Sequence, residues 1–412
     1  MSRRALRAER PVRTNTFLPY GRQTIEDDDI EAVSEVLRSD YLTTGPAVAR
    51  FESGLQKTVN AKHAVVCANG TAALHMAARA LDLGAGKKII VPAITFLATA
   101  SAPHLNGAEI VFADVDPDTG LMGPENLAEA LSRAGHADAV FNVHLNGQCG
   151  ALEEIAYIAR AHGAFLVDDA CHALGTAYVA DDGTVSTIGS NDFADLSVFS
   201  FHPVKAIAMG EGGAVTTNDS KMAKRLQHAR SHGMIREPED FRNSEDAFDE
   251  NGRANPWYYE LQEPEFNWRA NDIQCALGTS QLGKLGRFVV RRRAIAALYD
   301  LLLAAAGPLA RPMARTRPCL PAWHLYAARI DFEAAGITRS ALMRALIDEG
   351  IGTQVHYYPV YRQPYYARVC KTPRLPGADQ YYARALSLPL FASMLPGDAE
   401  RVVEALIRNL NL

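Results

Sequence analysis

The chain has 412 residues, 48% hydrophobic and 22% charged, with Lys+Arg 42 against Asp+Glu 47 for a net charge of -5. This is the composition of a globular protein long enough for two domains with cores of their own. The balance gives no reason to invoke nucleic acid or an anionic membrane surface, and no apolar run reaches transmembrane length.

Residues 1–15 are Arg-rich without the apolar core of a secretory signal, and they predict a disordered tail. Thr24 predicts a helix cap, with Asp27 three residues on and Ile25, Ile30, Val33, Val36 and Leu37 at helical spacing. From residue 60 to 220 short apolar runs alternate with amphipathic stretches. The predicted strands are Ala64–Cys67, Lys88–Val91, Glu109–Ala113, Ala139–Val143, Ala164–Asp168, Leu196–Phe201 and Ala214–Thr217. Helical patterns at Thr71–Leu81, Glu125–Ala134 and Ala151–His162 lie between them. That alternation argues for an α/β fold, a mostly parallel sheet covered on both faces, with its ligand site beyond the carboxyl ends of the strands.

Residues 234–264 read as an irregular polar and aromatic excursion. One long helical pattern runs from about Asn271 to Leu303, and Arg291-Arg292-Arg293 within it reads as a solvated face. The expected division is a large domain over 16–283 and a smaller α+β domain over 284–412. The six cysteines, at 67, 149, 171, 275, 319 and 370, contain no Cys-x-x-Cys pair. They predict reduced, mostly buried thiols of a cytoplasmic protein.

The segment Phe199-Ser200-Phe201-His202-Pro203-Val204-Lys205 carries the most chemistry. Lys205 follows an apolar run and precedes the cluster Gly210-Glu211-Gly212-Gly213. A desolvated lysine there can act as an amine nucleophile and carry pyridoxal phosphate (PLP) as an imine. Asp168-Asp169 ends a strand. A carboxylate at that edge, Asp169 by preference, could pair with a protonated pyridine nitrogen. Cys67-Ala68-Asn69-Gly70-Thr71 reads as strand, turn and helix start, an anion site with room at Gly70 and a hydroxyl at Thr71. Ser200 could reach the same phosphate, and Phe96, at the end of another strand, could stack on a pyridine ring. His228 and His232 share an i, i+4 spacing but lack a third ligand nearby, so no metal is expected.

Taken together these residues resemble the DegT/DnrJ/EryC1/StrS family of PLP-dependent sugar-nucleotide aminotransferases, of the aspartate-aminotransferase-like fold. The resemblance runs from about Pro19 to the C-terminus. It rests on Ser39-Asp40-Tyr41-Leu42-Thr43-Thr44-Gly45-Pro46, Asn69 through Leu74, Asp168 through Ala173, the lysine segment, and Asn267 through Gly278. Pro19 through Gln23, Pro256 through Gln262, Val355 through Val360 and Leu386 through Phe391 look most like its pseudaminic-acid branch.

The resemblance implies that Lys205 attaches PLP and Asp169 holds the ring nitrogen. It places His172 near the ring hydroxyl, Phe96 over the ring, and Gly70, Thr71 and Ser200 on the phosphate. Asn267 would reach the phosphate of a neighbouring subunit, making a homodimer with shared sites. Tyr20, Asp40, Tyr41, Leu42, Thr43, His356 and Tyr357 would line the sugar-nucleotide site, and Arg269 would meet the donor carboxylate or the diphosphate. The implied reaction moves an amino group from L-glutamate to C4 of a UDP-linked 4-keto-6-deoxy sugar, through the pyridoxamine form. A dTDP- or GDP-linked sugar, a C3-keto sugar or a keto-octulosonate is the alternative. Dehydratases of the family replace the lysine with histidine, and this chain keeps Lys205. Three departures fall where substrate contacts are expected: Glu265-Phe266-Asn267-Trp268-Arg269 for Gly-Tyr/Phe-Asn-Tyr-Arg, Asn146 for Tyr, and Ala208-Met209-Gly210 for Thr-Thr-Gly.

Overall fold

The structure, a computed structural model, describes residues 17–180 and 182–410. The expected tail over 1–15 lies outside them. Helices α1 (Asp27–Leu37) and α2 (Pro46–Val59) come first. Then β1 (His63–Cys67), α3 (Gly70–Ala80), β2 (Lys88–Pro92), α4 (Leu97–Leu105) and β3 (Glu109–Ala113) alternate. The alternation continues through α5 (Pro124–Ala134), β4 (Ala139–Val143), α6 (Leu152–Ala161) and β5 (Phe165–Asp169). A hairpin of β6 (Ala177–Val179) and β7 (Val185–Thr187) follows, before β8 (Leu196–Ser200) and β9 (Gly213–Thr217).

Seven of these strands form one sheet in the order β1-β9-β8-β5-β4-β2-β3. Only β9 runs against its neighbours β1 and β8; the pairs from β8 to β3 are parallel. Successive side chains feed opposite cores. Ile89, Phe141 and Val167 pack with α3 and α4, while Ile90, Val140 and Leu166 pack with α5 and α6. A strand buried on both faces cannot show a polar–apolar alternation, which is why these strands read as continuous apolar runs. Phe51, Phe112, Phe141 and Phe199 are fully buried, each contributing roughly 1.5–3 kcal/mol relative to exposure.

Beyond the sheet come α7 (Ser220–Arg230), β10 (Met234–Ile235), α8 (Ser244–Ala247) and β11 (Glu260–Leu261). The 234–264 excursion is organised by one carboxylate. Glu260 accepts from the Arg242 and Asn243 N–H groups, from Tyr258 Oη and from Gln262 Nε2. Burial pushes its carboxyl up, but these donors outweigh it and bring it down to about 2.

The long helical pattern of 271–303 is in fact two helices, α9 (Asp272–Leu282) and α10 (Leu285–Ala305). The break at Gly283-Lys284 turns the buried Lys284 ammonium onto Asp28 and Asp29 of α1, at 2.7 and 2.6 Å. The capping expectation also needs correction. Helix α1 starts at Asp27 after Glu26, because the Asp29 carboxylate takes the Glu26 N–H at 2.9 Å. Thr24 Oγ1 caps nothing and is buried without a partner among the described residues.

Early residues of α10, Leu285 and Val289, join the core of the large sheet; Ile295, Tyr299 and Leu303 belong to a second core. That core lies on an antiparallel sheet of β12 (Ala310–Pro312), β14 (Tyr326–Ile330) and β15 (Ala385–Leu388). Helices α11 (Arg339–Asp348) and α14 (Pro396–Leu410) pack into it, as does Leu18 through a bridge to Ile351. Short β13 (Cys319–Leu320) adds to the β6–β7 hairpin, and α12 (Pro364–Val369) and α13 (Pro376–Arg384) lie between β14 and β15.

The arginine run is not one solvated face. Arg291 is exposed, but Arg292 is 2% exposed and Arg293 donates to the Pro321 and Leu320 carbonyls. Helical spacing puts Arg292 on the same side as Phe288, Val289, Ile295, Ala296 and Tyr299, all buried. The six cysteines are free thiols, four of them buried. His232 lies beyond the end of α7 in left-handed backbone (φ 64°), so it shares no helical face with His228. His228 approaches Glu237 and Asp240 instead, and Lys224 already pairs with Asp240.

Candidate active site

The carboxyl ends of β4, β5 and β8 open into one cavity of about 710 Å³. Asp169, the last residue of β5, lines it with its side chain mostly buried. Its Oδ1 accepts from the Cys171 N–H at 3.2 Å and its Oδ2 from Thr99 Oγ1 at 2.7 Å. Thr99 has one hydroxyl proton and spends it on Asp169, so Thr95, 2.7 Å away, must donate to Thr99. Asp168 points the other way, to His144 Nε2 at 3.2 Å and Asn142 Nδ2.

Lys205 enters the same cavity from the turn after β8, where its N–H donates to His202 O at 2.8 Å. Its Nζ lies 3.5 Å from His324 Nε2. Burial holds the amine below the usual lysine value, against the opposing pull of Cys171 and Asp169. A lysine shifted this way is free base more often at neutral pH, as a nucleophile or proton carrier requires.

The anion end is built at the start of α3. Asn69 caps the helix by accepting from the Ala72 N–H at 2.9 Å, and its C=O leads into Gly70 and Thr71, whose amides have no intrahelical acceptor. Gly70 is required by close approach: a Cβ there would sit 2.9 Å from Ser200 Cβ and 3.4 Å from Cys171 Sγ. Ser200 Oγ lies at the same wall. This cradle suits a phosphate, and the anion end, Lys205 and Asp169 line one cavity. The residues present therefore fit PLP.

Four histidines, His172, His202, His324 and His356, line the cavity. His172 Nδ1 accepts from the Asn146 N–H at 3.3 Å, which assigns the ring proton to Nε2, 3.0 Å from Tyr357 Oη. Burial first, and the Lys205 charge second, push the His172 imidazole well below its usual value. His356 Nδ1 lies 2.8 Å from Ser387 Oγ and its ring packs 5.4 Å from that of Tyr20. The same two causes lower His356 to about 3. Burial raises Tyr357 well above an ordinary phenol. Phe96 caps α4, is 54% exposed and faces the Tyr357 ring across the cavity at 6.0 Å.

Of the residues singled out in the sequence, Lys205, Asp169, Gly70, Thr71, Phe96, His172, Ser200, Tyr20, His356 and Tyr357 line this cavity. Asp40, Tyr41, Leu42, Thr43, Asn267 and Arg269 do not. These six belong to two loops tied to the start of α9. Asp272 donates its N–H to Leu42 O at 3.0 Å, and its carboxylate accepts from the Gly45 and Ala47 N–H groups. Asn267 is exposed, its Oδ1 accepting from the Arg269 N–H at 3.2 Å.

The three departures from the family pattern do not line this cavity either. Asn146 is buried in left-handed backbone (φ 61°), a conformation asparagine tolerates, and its amide reaches Tyr381 Oη. Ala208 and Met209 are core residues, and Glu265 is taken by His75 and Arg79.

Thr99, Asn69 and His324 were missed. Thr95 and Thr99 stand one helical turn apart in an otherwise apolar stretch, a signal that could have marked the pair. Asn69 directly before a helical run is a cap signal. His324 carries no local pattern; only its placement 119 residues from Lys205 reveals it.

This geometry agrees with the comparisons. SpsC of Bacillus subtilis (strain 168), a spore coat polysaccharide biosynthesis protein, is 37% identical over 394 residues, covering 95% of this chain and 96% of the relative. Helicobacter pylori PseC, an aminotransferase of pseudaminic acid biosynthesis, superposes with a TM-score of 0.86 at 28% identity, covering 96% of this chain and 100% of that one. Spr1654 of Streptococcus pneumoniae, solved in PLP and PMP forms, gives a TM-score of 0.83 for each at 25% identity, covering 96% of this chain and 99% and 98% of those. The family model of DegT/DnrJ/EryC1/StrS aminotransferases matches residues 23–407, and the chain belongs to that family as a PLP-dependent sugar aminotransferase of fold type I.

Proposed function

We propose that the protein transfers an amino group from L-glutamate to C4 of a UDP-linked 4-keto-6-deoxy sugar, in a pathway of the pseudaminic-acid type. One observation carries the chemistry: Lys205 and Asp169 share a cavity whose far end is an anion cradle. The likeness to PseC over the whole fold supports the sugar. Glutamate's α-carbon is oxidised from amine to ketone and the sugar C4 is reduced from ketone to amine, so the electrons balance between the two substrates.

Bound PLP supplies a carbonyl that takes up and releases the amino group and a ring that accepts electrons. The protein's own groups do the rest. The Gly70 and Thr71 amides, the Thr71 hydroxyl and Ser200 Oγ would hold the phosphate. Asp169, fixed by Thr99 and the Cys171 N–H, would keep the ring nitrogen protonated, and His172 would stand near the ring hydroxyl. Phe96 would cover the ring. Lys205 Nζ would anchor the cofactor and, once free, carry the proton between the donor α-carbon and the cofactor carbon. Its burial favours the neutral amine that can take that proton, and the opposing pull of Cys171 and Asp169 keeps it basic.

Tyr20, His356 and Tyr357 would line the sugar side. Asp40, Tyr41, Leu42, Thr43 and Asn267 are exposed and Arg269 is half-buried, and we assign them to the cavity of a second copy, with Asn267 on its phosphate. The working unit is then a homodimer with shared sites. Six free cysteines suit the cytoplasm, and no described helix is long and apolar enough to cross a membrane.

The likeness to SpsC at 37% identity favours a second reading, the same transfer onto a different keto sugar of polysaccharide synthesis. Purified protein given glutamate and a panel of UDP-, dTDP- and GDP-linked keto sugars separates the two. Amination of the UDP-linked 4-keto sugar alone is expected. Preference for another nucleotide, or for a C3-keto sugar, overturns the first reading.

A further inference from the structure

Arg292 is the most unusual charge in the molecule. It sits in the middle of α10, 2% exposed, and among the described residues no carboxylate pairs with it. Burial pushes its guanidinium down to about 10. A buried, unneutralised cation is costly, and hydrogen bonds to its donors offset that cost. Here they meet backbone carbonyls. Nη1 donates to Trp323 O at 3.3 Å, His324 O at 3.2 Å and Leu390 O at 3.1 Å, and Nη2 donates to Lys205 O at 3.2 Å. Nε has no partner among the described residues. The side chain thus joins the lysine turn after β8 to the segment before β14.

The same two segments meet a second time inside the cavity. Lys205 Nζ and His324 Nε2 are 3.5 Å apart. His324 is 3% exposed, its ring packs 4.4 Å from that of His172, and its N–H donates to Asn146 O at 3.1 Å. One guanidinium therefore holds the main chain of both partners in the Lys205–His324 contact. A planar, rigid fork of donors is suited to this and an ammonium is not.

We propose that Arg292 is a positioning residue for Lys205. By gripping the Lys205 and His324 carbonyls together, it fixes the lysine amine against the His324 imidazole. His324 Nε2 accepts one amine N–H, and the amine lone pair is left aimed into the cavity, where it takes the proton from the substrate α-carbon. Arg292 itself does not line the cavity. The inference rests on the reading of Lys205 as the attachment lysine.

The test uses the full chain with PLP and four variants: Arg292→Met, Arg292→Lys, His324→Phe and the Arg292→Met/His324→Phe double. After glutamate has converted the cofactor to its amine form, Lys205 is free. The nitrogen-15 resonance of His324 Nε2 then reports the contact, with Lys205→Met as the reference for its loss. Arg292→Met and Arg292→Lys should both move that resonance toward the Lys205→Met position. In rapid-mixing experiments the glutamate half-reaction should slow roughly 10- to 100-fold, with KM for glutamate changed less than about twofold. The rate ratio between ordinary and α-deuterated glutamate should rise. The double variant should be no slower than the worse single one, as expected for residues acting through one contact.

A folded Arg292→Lys with the parent resonance and rate overturns the proposal, even if Arg292→Met does not fold. So does full multiplication of the two single effects in the double variant. The underlying reading fails separately: borohydride reduction of the loaded parent must tag Lys205. If it does not, the resonance shifts measured on the chain without cofactor still decide whether Arg292 sets the contact.

Discussion

Thr99 Oγ1 donates to Asp169 Oδ2 at 2.7 Å, from the first turn of α4 to the last residue of β5. The hydroxyl has one proton, so this bond orients the carboxylate and obliges Thr95 to donate to Thr99. Thr99→Val keeps the shape and leaves a buried carboxylate oxygen without its donor. It should lower stability by about 1–3 kcal/mol and weaken PLP retention. Urea unfolding and cofactor titration check both, and unchanged PLP affinity would remove Thr99 from the site.

Lys205→Ala should reduce transamination roughly 1000-fold or more. It should still bind PLP noncovalently, because the phosphate cradle and Asp169 remain. Mass spectrometry after borohydride reduction should find the cofactor on Lys205 in the parent and on no residue of the variant. Robust turnover by the variant is the contrary result.

Gly70→Ala tests the cradle. The new Cβ would lie 2.9 Å from Ser200 Cβ, closer than side chains tolerate. The clash should cost about 1–3 kcal/mol and displace the Gly70 and Thr71 amides. PLP binding should fall more than overall stability does. Equal loss of both would mean the glycine serves packing alone.

The proposed homodimer with shared sites predicts complementation. Lys205→Ala and Asn267→Ala protomers are mixed after dissociation and allowed to re-associate. Half the dimers are hybrids, and each hybrid keeps one site with both residues intact, so roughly a quarter of the parent activity should return. Recovery no greater than the sum of the two parents would place Asn267 outside the partner's cavity.

Buried neutral histidines set an acid limit. Burial first, and the Lys205 charge second, hold His356 at about 3. Its unfolded value is about 6.5. Between those values the unfolded chain binds the extra proton, so stability rises with pH there. The contribution is complete above about pH 6.5 and is lost as pH falls toward 3. His172 and His324 shift in the same direction. Thermal melting of His356→Gln should show a shallower fall from pH 7 to 5 than the parent. Parallel curves would mean that folding does not shift the titration of His356.

The strands from Lys88 to Asp169 were legible because residues buried on both faces must be apolar throughout. Asp169, Gly70 and Ser200 were legible because each stands at the end of a strand or the start of a helix, and Lys205 because it follows the strand that ends at Ser200, where a parallel sheet gathers its ligand groups. The long pattern from Asn271 to Leu303 was misread as one helix. Apolar spacing persists through Gly283-Lys284, and the cause of the break, the pull of Asp28 and Asp29 on Lys284, lies some 255 residues away in the chain. Arg292 was misread for a related reason: three consecutive arginines look alike until packing decides which one faces the core.

Residue order alone pointed to the parallel sheet, the lysine after a strand, the carboxylate at a strand end and the glycine at a helix start, because each follows from local spacing and the handful of ways such a sheet can be wound. Tertiary structure alone decided which side chains hold those groups in place. Thr99 under Asp169, His324 beside Lys205 and Arg292 behind both come from distant segments, and a hydrogen bond between segments far apart in the chain leaves no periodic trace in either one.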